Sequence, residues 1–158
     1  MQASLRKLRK QRPRIITIKL EGKSWTVDMA RELRIDIEDM DKEWVNQPVN
    51  YHFLSSMVND AELAATRATI EKERVYGSIF TKEKSSKDTS YYKAHFKSPS
   101  DDYADAVARK SLKYLKAAKA EADAIYMLRE LKSAMFAYQQ RAAALEQLSI
   151  NRRQENKF

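Results

Sequence analysis

The chain has 158 residues, with 30 Lys and Arg against 22 Asp and Glu, no cysteine, two glycines and a formal net charge of +8. Without cysteine there is no disulfide, no thiolate zinc site and no thiol nucleophile, and with only Gly22 and Gly77 there is no glycine-rich phosphate loop or dinucleotide fingerprint. No apolar run reaches 18 residues, so no membrane-spanning helix is expected, and the basic balance favours an anionic partner: nucleic acid, a membrane surface or an acidic protein. The length suits one domain with tails, and the lack of cysteine fits a reducing cytoplasm.

Residues 1–14 carry Arg6, Lys7, Arg9, Lys10, Arg12 and Arg14 with no acid and no apolar segment of a signal peptide behind them. They read as a flexible basic arm able to pair with phosphates. Ile15 to Leu20 is β-branched and alternating, which predicts a strand. Glu21-Gly22-Lys23 is the predicted turn and Ser24 to Val27 the return of a short hairpin, with Trp25 as a packing anchor. Asp28 is placed to cap a short helix over Met29 to Arg34. From Asp28 to Glu43 the charge turns acidic. Asp36, Asp39 and Glu43 would share a face only on a helix, whereas Ile35 and Ile37 alternate as in an extended segment, so no metal site is expected. The acidic stretch is left facing either a basic partner or neighbouring subunits. Asn46-Gln47-Pro48 reads as the turn that closes this segment, 15–45.

A helical core is expected over 46–150. Its first long helix starts at Val49 with Asn50 as a cap, presents Phe53, Leu54, Met57, Val58, Ala61, Ala64, Ala65, Ala68 and Ile70 as a wide apolar face, and closes near Gly77. Residues 81–100 form a connection. There Tyr91, Tyr92, Lys93, Phe96 and Lys97 interleave rings with cations. This pattern fits a loop folded onto the core, and equally a platform on which single-stranded bases stack while lysines meet phosphates.

From Asp101, or Asp102, to about Arg153 there is neither proline nor glycine, and apolar residues recur every three or four positions. This predicts one helix that would span roughly 75 Å at about 1.5 Å per residue. Its first half carries Arg109, Lys110, Lys113 and Lys116, with Arg109, Lys113 and Lys116 on one face; no acid intervenes between Asp105 and Glu121. Such a run repels itself, which makes an anionic partner the favoured reading. The second half alternates in sign and offers Leu128, Leu131, Met135, Tyr138 and Leu145 as a self-association seam. Residues 151–158 are expected to fray.

Three stretches together give the chain a family likeness. They are Arg34-Ile35-Asp36-Ile37-Glu38-Asp39-Met40-Asp41-Lys42-Glu43, then Gln47-Pro48-Val49-Asn50-Tyr51-His52, then Glu71-Lys72-Glu73-Arg74-Val75-Tyr76-Gly77. With the polar connection and the Ala-rich last helix, residues 34–150 resemble the UvsY-like recombination mediators of tailed bacteriophages. Val75 stands where the family often has a second aromatic, and residues 1–27 look like an addition to the shared core. The resemblance implies a non-enzymatic helical protein that assembles into a ring and binds single-stranded DNA. It also implies help in loading a RecA-like recombinase onto strands covered by a single-strand-binding protein, with Lys72 and Arg74 touching DNA. It implies no cofactor and no membrane partner.

The expected architecture is therefore mainly α. It has two long antiparallel helices, self-association through the C-terminal one, and a small N-terminal hairpin with a basic arm. The rival expectation is a phage structural or assembly oligomer whose charge serves subunit pairing and solubility. A basic helix lying on anionic lipid is weaker still, because its apolar stripe is largely alanine.

Overall fold

A computed structural model of the protein describes residues 15–20 and 23–155. The arm with Arg6, Lys7, Arg9 and Lys10, the Glu21-Gly22 connection and residues 156–158 lie outside the described residues. The protein is mainly helical, with a pair of long helices and one two-stranded antiparallel hairpin. In chain order it comprises β1 (Ile15–Leu20), β2 (Lys23–Asp28), α1 (Met29–Glu32), α2 (Met40–Ser85), α3 (Ser90–His95), α4 (Asp101–Lys110) and α5 (Leu112–Glu155). Contacts divide it into two compact units. One holds the described residues up to Asp60 and from Met127 onward; the other is Ala61–Tyr126. Among the described residues no helix is long and apolar enough to cross a membrane.

In the first unit, β1 and β2 pair from Ile15 opposite Asp28 to Leu20 opposite Lys23. A two-stranded ribbon is marginal alone in water, and this one buries Ile18 almost completely while Trp25, opposite it, is half-buried. Asp28 ends β2 and caps α1, its carboxylate accepting from the N–H groups of Ala30 and Arg31 at 3.0 and 3.4 Å.

The start of α2 differs from expectation. It begins at Met40 and runs through Pro48, so the predicted turn at Asn46-Gln47-Pro48 is helix. Asp39 supplies the start, with its side chain accepting from Lys42 N–H and its carbonyl from Glu43 N–H. An interior proline costs a helix about 3 kcal/mol. Tertiary burial on either side offsets that cost, since Met40, Gln47 and Leu54 share a buried face at seven-residue steps.

The apposed stretch of α5 corrects a second expectation. Leu131 and Leu145 are wholly buried and Tyr138 nearly so, while Leu128 and Met135 are half-buried. Leu131, Tyr138 and Leu145, expected in a self-association seam, are thus part of this chain's own core. The physical reason is that the first unit already covers them: Gln47 donates to the Tyr138 carbonyl at 2.9 Å, and Tyr138 OH donates to Glu32 at 3.0 Å. Trp44 Nε1 donates to Ser149 Oγ at 2.9 Å and Gln139 to Tyr51 OH at 3.1 Å.

At the centre of this unit lies Arg141, with 5% of its side chain exposed. Its guanidinium donates to Gln47 Oε1, to Glu43 Oε2 and, at 3.1 Å, to the Arg34 carbonyl. Its Nε is buried without a partner among the described residues. Glu43 also accepts the Asp36 N–H at 2.9 Å. Burial raises the Glu43 pKa, but the Asp36 N–H and the Arg141 guanidinium outweigh it and hold the carboxyl below the ordinary glutamate value.

In the second unit the helices approach through small residues: Ala61 and Ala65 on α2, and Ala104 and Ala108 on α4, are buried. Gly77 does not end α2, which continues to Ser85. A Cβ at Gly77 would meet nothing within 4 Å. Gly77→Ala is therefore expected to stabilise the protein by about 1 kcal/mol, through helix propensity and a less mobile unfolded chain. Thermal denaturation should show this as a rise of about 2–4 °C.

The connection predicted over 81–100 contains the end of α2 and the short α3, which Thr89 caps by accepting from Tyr92 N–H. Lys84 fastens it, donating to the Pro99 carbonyl at 2.9 Å and pairing with Asp101 at 2.8 Å. Ser100, not Asp101 or Asp102, caps α4. The single helix expected from Asp101 onward is also broken. Ser111 is extended, with φ −66° and ψ 141°; its N–H bonds the Ala108 carbonyl, and its Oγ accepts from Tyr114 N–H at 3.2 Å. It caps the end of α4 and the start of α5 at once. At the far end, residues 151–155 remain helical where fraying was expected.

Candidate functional site

The sequence places most candidate contacts in the second unit, and the structure sorts them into two groups. The first group is paired. Lys72 Nζ lies 2.9 Å from Glu121 and 3.3 Å from Glu73, and only 19% of its side chain is exposed. Arg74 makes two bonds of 2.7 Å to Glu71. Arg109 Nε lies 2.8 and 3.0 Å from the Asp105 oxygens, and its guanidinium carbon stands 5.3 Å from the centre of the Tyr76 ring. Asp105 also accepts Tyr76 OH at 2.7 Å, and Tyr76 packs against Phe80 and Tyr114.

These partners perturb one another in the expected directions. Glu121 raises the Lys72 pKa, and Lys72 in turn lowers that of Glu121. The Tyr76 hydroxyl and then Arg109 hold Asp105 below the usual carboxylate range, while accepting the hydrogen bond makes Asp105 raise the Tyr76 pKa. The group fastens α2 to α4 and α5, so Lys72 and Arg109 serve the fold in this state.

The second group is unpaired. Lys93, Lys97, Lys110, Lys113 and Lys116 are exposed, and none has an acidic partner among the described residues. Lys82 and Lys119 belong with them. The break at Ser111 shifts the helical phase, so Arg109 does not share a face with Lys113 and Lys116 as a continuous helix would require. The rings divide similarly. Tyr91 is half-buried and packs between His95 and Tyr103, with ring centres 4.3 and 4.6 Å away; Tyr92 is half-buried too. Phe96 is 81% exposed and has φ 55° and ψ 27°. It closes α3 as a left-handed cap, its N–H bonding the Tyr92 carbonyl. That conformation is ordinary for glycine and costly for a bulky residue. Tyr126, 63% exposed and seven positions after Lys119 on the same face of α5, is a ring that reading the sequence missed. The i,i+7 spacing was the available signal.

A groove of about 560 Å³ lies beside the Ser111 break, floored by Val75, Ile79 and Leu112, with Arg74, Lys82 and Lys113 as its cations and Glu83 as its one acid. A larger recess in the first unit, about 870 Å³, is lined by Arg31, Arg34, Asp36, Glu38, Glu43 and Arg141 among others. No group of His, Asp or Glu among the described residues could hold a metal ion. The class defined by fold and site is a helix-pair protein with a small hairpin, which presents unpaired lysines and one strained, exposed ring. No protein-family model, no curated protein and no solved structure matches the chain.

Proposed function

We propose that this protein binds single-stranded DNA and acts as a recombination mediator. In that role it helps load a RecA-like recombinase onto strands covered by a single-strand-binding protein, as a homo-oligomer in the cytoplasm of the cell a phage infects. The recombination role rests on the family resemblance. Strand binding is supported by one observation above others: Phe96, held exposed in a left-handed conformation between the free lysines Lys93 and Lys97. Strain kept at an exposed ring is uneconomical for folding and serves a stacked base well. Lys110, Lys116 and Lys119 would extend the phosphate track, with little reading of base identity.

Phe96→Gly separates the two roles. Glycine takes the left-handed cap without strain, so the fold should be as stable as before or more so. Fluorescence anisotropy with a labelled oligo-dT should nevertheless show affinity falling about tenfold or more, the loss of one stacked base. With about four phosphate contacts, affinity of the unaltered protein should drop about fiftyfold between 50 and 200 mM salt. No binding at low salt by the folded protein would remove this reading and leave the structural oligomer, for which the self-paired Lys72 and Arg74 speak.

A further inference from the structure

The acidic stretch and the groove at Ser111 are two features that strand binding leaves unused. The groove has an aliphatic floor, with Leu112 77% exposed and no ring among its lining residues. A nucleobase would find nothing there to stack on, whereas an aliphatic side chain would find Val75, Ile79 and Leu112. Lys82 and Lys113 at the same groove have no acidic partner among the described residues, whereas Arg74 is occupied by the two bonds it donates to Glu71. The fitting ligand is therefore a peptide that offers one aliphatic side chain flanked by carboxylates.

This chain carries such a peptide. Between α1 and α2, Ile37 is 62% exposed and is flanked by exposed Asp36, Glu38 and Asp39. The loop is already shaped. Asp36 N–H is held by Glu43, Glu38 N–H is held by the Asp36 carboxylate at 3.0 Å, and Asp39 is anchored as the cap of α2. Little ordering would then be lost when it docks. Glu38 borders the recess of the first unit, and its side chain has no hydrogen bond or ion pair among the described residues that docking would have to break.

We propose that the Asp36–Asp39 loop of one copy seats in the Ser111 groove of the next. Ile37 lies on Val75, Ile79 and Leu112, and the loop's carboxylates face Lys82 and Lys113. The two surfaces are different, so the contact is head-to-tail and repeats from copy to copy until a ring closes or a filament grows. It places self-association on a loop and a groove, away from the buried stripe of α5. It stands whether or not the strand-binding reading is right.

The test uses two variants of the whole protein, altered at exposed positions: Ile37→Lys/Glu38→Lys, which spoils the loop, and Lys82→Glu/Leu112→Glu, which spoils the groove. In sedimentation velocity at low salt, the unaltered protein should assemble and each variant alone should run as a monomer. An equimolar mixture should give dimers and nothing larger, because one partner still offers a groove and the other a loop. Assembly of either variant like the parent, a parent that stays monomeric, or a mixture that stays monomeric would overturn the proposal. Circular dichroism on each variant checks that the helices are intact. Oligo-dT anisotropy on the same samples reports on strand binding separately, so neither reading can fail in the other's place.

Discussion

Glu43→Ala is expected to destabilise the protein by about 3–5 kcal/mol, the usual result of removing one partner from a buried ion pair. The loss comes from what the substitution leaves behind. Arg141 is 5% exposed and its Nε is already without a partner, so without Glu43 its guanidinium keeps only Gln47 and the Arg34 carbonyl. Asp36 N–H loses its acceptor as well. Urea unfolding at pH 7 would measure the loss, and Glu43→Leu/Arg141→Met should recover most of it, because a buried pair replaced by apolar groups of like volume is close to neutral. The same pair has a pH signature. The folded-state pKa of Glu43 is depressed, so its contribution is present above the unfolded value of about 4.3 and fades as pH falls through the lower folded value. Glu43→Ala should flatten that acid limb. A variant as stable as the parent, with an unchanged acid limb, would show that Arg141 is not held in this way.

Leu131→Ala and Leu145→Ala should each cost about 2–5 kcal/mol, because both side chains are fully buried and truncation leaves a cavity. Ile70→Ala should change stability by less than about 0.5 kcal/mol, since Ile70 is 62% exposed. The contrast decides between two roles for the α5 stripe. If Leu131 and Leu145 belong to the chain's own core, the loss measured in urea is the same at low and high protein concentration. If they formed an intersubunit seam, the loss would grow as the protein is concentrated and the parent gains from association.

What could be read from the chain alone was mostly local. The alternation of Ile15 to Leu20, the turn residues after it and the carboxylate of Asp28 lead to a hairpin and a capped helix, because register and capping act over a few residues. Pro48 and Gly77 were misread for the opposite reason. A proline and a glycine are strong local signals, but Gln47 and Glu43 meet Arg141, nearly a hundred residues away, and that contact carries α2 through the proline. The partner of Lys72, which only the family resemblance assigns to DNA, is equally remote, since Glu121 reaches it from 49 residues on. Ser111 was silent in the periodic pattern because a serine is tolerated within a helix. Its capping role appears only once its Oγ meets Tyr114 N–H. Of the candidate contacts, the lysines after the break could be read from charge alone; the left-handed Phe96 could not, because no residue beside it marks that backbone.

The break at Ser111 also governs how this chain can change length. An added residue turns a continuous helix by about 100° beyond the insertion. Placed within α5, ahead of Leu131, it would swing Leu131, Tyr138 and Leu145 out of the core together. Placed at the extended Ser111, it enters a joint that already separates two helical phases, so α5 can keep its register. Within the stretch from Asp101 to Glu155, that junction is where a residue can be gained or lost while both helices keep their buried faces.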